Sequence, residues 1–159
     1  MNDKNDSVSN DSFSSYDDNE DDSTRVVFME LHEAAANGDS EKLADIIQLG
    51  KHNINEADQD WNGKTPLHWA CSKGNLDCAK VLLSSGADSS PRMHGGWTPA
   101  HSAAETGKLQ ILKLLQTYKA PLNLIDDFGD SPKRIAQTYG HTECEQFLQA
   151  IEKEQDINQ

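Results

Sequence analysis

The segment DQDWNGKTPLHWA, residues 58–70, carries the residue types of two ligand-binding loops. Its first six residues match the first half of an EF-hand calcium loop, but the twelfth position, where that loop needs a bidentate glutamate, is Trp69. Its GKT would end a phosphate-binding loop, but that loop needs a glycine where Asp58 stands, and a carboxylate there would repel a phosphate. Because Asp, Asn and Gly are also favoured in tight turns, the segment indicates a turn rather than a cation or nucleotide site.

Three histidines, His32, His68 and His101, have the chemistry of metal ligands or general bases, and Cys71 stands three residues after His68. The histidines are 36 and 33 residues apart, and each holds the same place in its own copy of a repeated pattern. A Ser–His–Asp or Cys–His–Asn catalytic triad cannot be assembled without using one of these residues. We therefore predict that the histidines are structural, and that there is no catalytic residue, metal or cofactor.

The net negative charge of the chain disfavours some classes of binding partner. The 159 residues include 27 acidic and 14 basic side chains, a formal net charge of −13. Such a surface repels phosphate backbones and anionic lipids, and no apolar run approaches the roughly 20 residues of a membrane span. The N-terminus also lacks a charged-then-apolar signal pattern. These features predict no nucleic-acid partner, no membrane, and residence in the cytoplasm, with the nucleus as the alternative.

The first 25 residues are expected to form a disordered acidic tail. Residues 1–24 hold eight acidic side chains against a single lysine, with too few apolar residues to bury a core against that repulsion. The tail would keep the chain soluble. A regulatory role is the alternative, because Ser14 and Ser15 each have an aspartate three residues on, a pattern that suits acid-directed kinases.

The remaining chain repeats itself four times. Four segments align: ELHEAAANGDSEKLADIIQLG, PLHWACSKGNLDCAKVLLSSG, PAHSAAETGKLQILKLLQTYK and PKRIAQTYGHTECEQFLQAIE. Their equivalent anchor residues are Leu31, Leu67, Ala100 and Lys133. Seven positions after each anchor stands a glycine, at Gly38, Gly74, Gly107 and Gly140. Fourfold agreement at fixed offsets indicates a repeat array.

Each unit predicts two helices. A proline with its fixed φ suits the first helical turn, the glycine can end that helix in a left-handed conformation, and apolar residues at helical spacing follow. The sequence thus predicts an all-α solenoid of four helix-turn-helix repeats with turn or finger connections. The repeats fall at about 28–59, 60–92, 93–125 and 126–152 of a domain spanning 26–152, followed by a flexible C-terminus, 153–159.

These units resemble the ankyrin repeat family, whose TPLH tetrad is intact at residues 65–68 and is echoed by TPAH at 98–101 and SPKR at 131–134. The array departs from that pattern by three extra residues in the first connection, by Ala100, and by Lys133-Arg134 in place of Leu-His. The resemblance implies that His32, His68 and His101 bond to backbone in the turns.

The resemblance also implies that partners contact the turn tips and the exposed side of the first helix of each repeat. Those positions are occupied by Trp61, Asn62, Lys64, Lys73, His94, Trp97, Glu105, Asp127, Phe128, Asp130 and Tyr139. Four of these residues are aromatic, and aromatic residues are enriched in binding hot spots. As an alternative, Trp97 and Phe128 brace the neighbouring turn. Trp69 is expected to point between repeats, in the core.

The function expected from this pattern is a non-enzymatic protein–protein interaction module, an adaptor or inhibitor, that is a monomer by itself. Its partner would be another protein, bound through the turn tips and the concave helix face. An enzyme or metal-dependent protein built on the same scaffold is the alternative, and a transcription-associated regulatory protein is a weaker one.

Overall fold

The computed structural model describes residues 30–158, and the acidic tail expected at residues 1–25 lies outside them. Residues 30–37 are helical and are called α1 here. The helices that follow are α2 (Ser40–Gln48), α3 (Pro66–Lys73), α4 (Leu76–Ser84), α5 (Pro99–Glu105), α6 (Leu109–Thr117), α7 (Pro132–Thr138) and α8 (Thr142–Ile157). Short 3₁₀ turns lie at Gln59–Trp61 and His94–Gly96. The described residues contain no β-strand, so the predicted all-α repeat fold is confirmed.

The helices form two layers that run along the array. Inner helix α5 packs between α3 and α7, and outer helix α6 packs between α4 and α8. Leu67, Leu82, Leu112 and Leu148 are buried between the layers. Small residues at equivalent positions let the inner helices approach one another, and these are the fully buried Ala70, Ala103 and Ala136. Each unit therefore buries its apolar face against its neighbours.

Each inner helix begins at a hydroxyl N-cap followed by proline. Thr65 Oγ1 accepts from the backbone N–H of His68 at 3.3 Å, and the backbone N–H of Thr65 donates to Nδ1 of that histidine at 3.2 Å. Thr98 and His101 repeat this reciprocal cap. In the last repeat Ser131 caps α7 by accepting from the backbone N–H of Arg134. Two orphan donors are satisfied at each Thr–His cap, which fixes the helix start.

Gly107, which follows the end of α5, is required both for its backbone conformation and because a side chain would not fit there. Its φ of +71° disfavours other residues, and a Cβ built on it would lie 2.6 Å from Nδ1 of His141 in the next repeat. That imidazole donates from Nε2 to the carbonyl of Glu105 at 2.8 Å. Gly140 has a similar φ of +78° but open space around it. The first glycine therefore carries a contact between repeats that the second does not.

The C-terminal helix extends further than the sequence indicates. The helix α8 continues through Ile157, beyond the predicted end of the repeat domain at residue 152. Three contacts explain the extension: Ile151 is buried, Glu152 forms an ion pair with Lys133 at 2.6 Å, and Gln155 accepts from Asn123 at 3.4 Å. The last two partners lie 19 and 32 residues away in sequence, so no local pattern announces them.

We predict that Gly107→Ala destabilises the array more than Gly140→Ala. Both changes force alanine into the left-handed region, which costs about 1–2 kcal/mol. Only the first also displaces His141 and its hydrogen bond, worth about 1 kcal/mol more. Urea unfolding followed by circular dichroism measures both free energies. Equal losses in the two variants would show that His141 does not hold this position in solution.

Candidate protein-binding surface

The second-repeat turn is held by the residues that resemble a calcium loop. Asp58 pairs through its backbone with Lys64 (N–H to O, 2.7 Å), and its carbonyl accepts from the backbone N–H of Gly63 at 2.8 Å. Its carboxylate accepts from the backbone N–H of Asp60 at 3.0 Å, and Asn62 completes the turn in the left-handed region at φ 66°. The aspartate is thus used as a turn cap, and the turn presents Trp61, which is 54% exposed.

The fourth-repeat turn, residues 126–130, is fixed more tightly. The buried carboxylate of Asp126 accepts from the backbone N–H groups of Phe128 (2.9 Å) and Asp130 (2.8 Å) and from Nε1 of Trp97 (3.0 Å). Burial alone would raise the pKa of Asp126, but these three hydrogen bonds stabilise the anion, and the pKa is lowered overall. The carboxylate is therefore the fixed centre around which this turn folds.

Neighbouring turns are hydrogen-bonded to one another through backbone atoms. The N–H of His94 donates to the carbonyl of Asn62 at 2.8 Å, and the N–H of Asp127 donates to the carbonyl of Gly95 at 2.9 Å. Both bonds join residues 32 positions apart in successive repeats. The turn tips of the second, third and fourth repeats consequently form one continuous row.

The histidines tie the first three inner helices to the turns that follow them. Nε2 of His32 bonds the carbonyl of Glu56 at 2.9 Å, Nε2 of His68 that of Trp97 at 3.0 Å, and Nε2 of His101 that of Asp130 at 2.9 Å. In the last two, Nδ1 accepts a backbone N–H, so Nε2 carries the proton and the ring is neutral. This is the structural role that the resemblance implies.

Burial keeps two of these imidazoles neutral. It lowers the pKa of His68 from its ordinary value of 6.5 to about 4, against the raising effect of the hydrogen bond to Trp97, and it lowers the pKa of His101 as well. An imidazole with its pKa this low, and with both nitrogens already in hydrogen bonds, is unsuited to act as a base at neutral pH.

The predicted aromatic row divides into one bracing residue and three exposed ones. Trp97 is half-buried, donates to Asp126, and stacks on the ring of His101 at 6.0 Å between centroids. Trp97 therefore braces the neighbouring turn, as in the alternative interpretation. Phe128 is 83% exposed at the tip of its turn, and Trp61 and Tyr139 are each 54% exposed. Phe128 therefore braces no turn through its side chain.

Trp69 is predicted to lie in the core; it packs against the core cluster and also reaches the edge of the same surface. It is half-buried, its ring lies edge-on to Trp61 at 5.9 Å, and the ammonium of Lys64 stands 4.4 Å from its ring centroid. Trp69 stands two residues after its anchor Leu67, an offset that is not among the contact positions implied by the resemblance. That offset is the signal by which its place beside Trp61 could have been found.

A depression of about 330 Å³ lies between the second and third repeats. Five of the predicted contact residues meet there, and the complete lining is Asn62, Lys64, Ser72, Lys73, Met93, Trp97, Ser102, Glu105 and Thr106. The second repeat contributes both lysines and the third contributes the glutamate. The depression therefore has a cationic side formed by Lys64 and Lys73 and an anionic side formed by Glu105.

The other predicted contact residues lie outside this depression. His94, Asp127 and Phe128 are exposed on the row of tips, Asp130 is half-buried with its carbonyl on His101, and Tyr139 caps the end of α7. Within residues 30–158 there is no group of three side chains spaced to hold a metal ion, and no helix there has the length and apolar character to cross a membrane.

The comparison with protein families matches this architecture. A family model for ankyrin repeats, three copies, matches residues 31–126. The chain belongs to the ankyrin repeat family. The fourth unit, α7 and α8, lies beyond the matched residues but packs on α5 and α6 in the same way as the units before it.

Curated relatives share the repeats at about a third identity. Ankyrin repeat domain-containing protein 13B of Mus musculus is 34% identical over 106 residues, 67% of this chain and 16% of that protein. Tyrosine-protein kinase HTK16 of Hydra vulgaris is 30% identical over 120 residues, 74% of this chain and 16% of the kinase. Human protein phosphatase 1 regulatory subunit 27 is 36% identical over 98 residues, 62% of each chain. The chain thus spans about a sixth of the first two relatives.

We predict that His68 makes stability fall with acid. The unfolded histidine takes up a proton below its ordinary pKa of 6.5, whereas the folded one does so only near pH 4. The unfolded state therefore binds more protons between these values, and stability is lost as pH falls from 6.5 to 4. Between pH 7 and 5 the loss from this residue is about 2 kcal/mol.

Chemical denaturation at a series of pH values measures this slope. His68→Gln should flatten the slope, whereas His94→Gln, at an exposed position, should leave it as in the natural chain. An unchanged slope in His68→Gln would contradict the assignment of a neutral, buried imidazole.

Proposed function

We propose that this ankyrin repeat protein is a non-enzymatic adaptor or inhibitor that binds a partner protein across its turn tips and the adjoining depression. The observation that carries the proposal is the meeting of Lys64, Lys73, Trp97 and Glu105 in one depression, beside exposed aromatic side chains at the tips. The family typically mediates protein–protein binding, which supports the same conclusion.

The rigidity of the tips supports this role energetically. Trp61 and Phe128 are exposed, yet their turns are fixed by Asp58 and Asp126 and by backbone bonds to neighbouring turns. A side chain presented on a fixed backbone loses little further entropy when a partner covers it. An aromatic ring held in this way is suited to be an anchor in a partner's pocket.

A second, narrower candidate is regulation of a protein phosphatase. One relative, matched over 62% of both chains, is named a regulatory subunit of protein phosphatase 1. We propose that this chain also binds a protein phosphatase catalytic subunit, with the repeat surface as a contact. Purified protein phosphatase 1 catalytic subunit is the reagent that tests this candidate directly.

Finer assignments join the proposal. The segments LHEAAANGD, GWTPAHSAAE and FGDSPKRIAQTYG resemble ankyrin repeat domain-containing protein sixty-six, and we propose that relation, which brings no known activity with it. We further propose a monomer in the cytoplasm, with the nucleus as the alternative. A stoichiometric zinc or calcium content in the purified chain would favour the metal-dependent alternative instead.

We predict that changing both Trp61 and Phe128 to alanine weakens partner binding by at least about tenfold, because hot-spot aromatics contribute on the order of 2 kcal/mol or more. The matched control changes Leu49 and Tyr118, which are 63% and 40% exposed at the ends of outer helices. Quantitative affinity purification with the natural chain, followed by titration of each captured protein, measures the loss. Equal capture by all three chains would place the interface elsewhere.

We also predict that the lysine wall of the depression contributes electrostatically. Lys64→Glu with Lys73→Glu should weaken binding and reduce its dependence on salt, because rim charges act mainly through association rate and screening. The control, Lys80→Glu with Lys113→Glu, makes the same change in net charge on exposed positions of outer helices. If both pairs weaken binding equally, net charge rather than this wall is responsible.

A further inference from the structure

Three charged side chains line the depression between the second and third repeats, and none of them has an ionic partner within residues 30–158. They are Lys64, Lys73 and Glu105. The ammonium group of Lys64 lies over the ring of Trp69 instead, 4.4 Å from its centroid. Charges at the edge of a binding surface select partners of complementary charge. These three side chains are therefore the groups from which the partner's chemistry can be inferred.

The two lysines stand at opposite ends of one inner helix. Lys64 comes directly before the N-cap of α3, and Lys73 is the last of its eight residues. A helix of this length is about 12 Å long, and an extended chain covers that distance in about four residues. Residues i and i+4 of an extended segment also lie on one face. Two acidic side chains at that spacing can therefore each meet one lysine.

Two hydroxyl groups in the lining favour an extended backbone over a helical one. The hydroxyl of Ser72 donates to the carbonyl of Trp69 at 3.4 Å, and that of Thr106 donates to the carbonyl of Ser102 at 3.1 Å. Each hydroxyl oxygen is thus left as an acceptor for a partner. An extended segment brings backbone N–H groups that need acceptors, whereas a helix has bonded most of its own internally.

The local charge of the depression is positive, although the chain carries a net charge of −13. Two of the three charged lining residues are lysines. A third lysine stands nearby, because Cδ of Lys108 would lie 2.8 Å from a Cβ built on Gly74, the residue that follows α3. Salt screens exposed charges beyond about 8 Å at physiological ionic strength, so the nearby lysines decide which partner charge is favoured. An acidic segment therefore fits better than a basic one.

We propose that the depression binds an extended acidic segment of the partner protein, in which two acidic residues four positions apart pair with Lys64 and Lys73. An apolar residue midway between them contacts Trp97 and Met93. This rests on the proposed function and names the kind of segment that the partner contributes. Glu105 repels a further acidic side chain beside Lys73, so two spaced acids match the depression better than an uninterrupted acidic run.

Selection from a random peptide library displayed on phage tests this assignment. The library is selected on the full natural chain and, in parallel, on Lys64→Ala with Lys73→Ala. The matched control, Lys80→Ala with Lys113→Ala, removes the same charge from exposed positions of outer helices. Peptides enriched on the natural chain and the control, but not on the test variant, should carry two acidic residues four positions apart. Lys64→Arg with Lys73→Arg keeps both charges and should enrich the same peptides.

Titration of the synthesised consensus peptide measures each pairing separately. Replacing one of its acids by the corresponding amide should lower the affinity about threefold on the natural chain, the effect of an exposed ion pair. That loss should disappear in either Lys64→Ala or Lys73→Ala, and the loss from the other acid should disappear in the other variant. A peptide that carries the same two acids at adjacent positions has the same charge and should bind more weakly.

The outcomes separate this inference from the proposed function. Enriched peptides without spaced acids, basic peptides that depend on Glu105, or peptides that bind Lys64→Ala with Lys73→Ala as well as the natural chain would each overturn the acidic segment. A selection that enriches no peptide would overturn it as well. In all of these cases the proposed function is still decided by affinity purification with Trp61 and Phe128 changed to alanine.

Discussion

The structure depends on neutral imidazoles that join the inner helices α3 and α5 to the turn of the next repeat. In His68 and His101, Nδ1 accepts within its own helix cap and Nε2 donates to a carbonyl 29 residues later. Each bond contributes only about 1 kcal/mol net, but a buried carbonyl left without its partner costs about 1–3 kcal/mol. Because the same ring serves both the cap and the bridge, protonation or replacement disturbs two repeats at once.

That constraint helps to explain how the array presents a rigid row of turns beside its core. The histidine hydrogen bonds fix the base of the turns, and the carboxylates of Asp58 and Asp126 fix the interior of the second and fourth turns. Backbone hydrogen bonds between neighbouring turns fix the tips. Which side chains the tips expose depends on the hydrogen-bond partners that lie nearby. Trp97 has a carboxylate acceptor in the next turn and becomes a brace, whereas Phe128, with no polar handle, remains 83% exposed. The contrast shows that one aromatic residue supports the neighbouring turn and that the other leaves its ring open to solvent.

The sequence was sufficient for everything that depends on fixed offsets, and insufficient where contacts cross between repeats. The four glycines, the Thr–His caps and the helix starts follow from recurrence and local chemistry. The brace at Trp97 depends on Asp126, 29 residues later, and the final turns of α8 depend on Lys133 and Asn123. Trp69 packs against the core, as its register predicts, but its contacts with Trp61 and Lys64 at the surface do not follow from that register. A pattern within one unit cannot specify such partners.

The bonds that hold the tips use backbone atoms, and this separates recognition from folding. Asn62 contributes its carbonyl to the row of tips, Asp127 and His94 contribute their N–H groups, and Phe128 contributes its N–H to Asp126. The side chains of His94, Asp127 and Phe128 are not needed for these contacts, whereas Asn62 also has to adopt a left-handed backbone conformation. The residues that look chemically active, His68, Asp58 and Asp126, are in contrast occupied by the scaffold. The scaffold therefore uses these reactive groups in hydrogen bonds of its own, while the side chains of Phe128, Asp127 and His94 stay exposed at the tips.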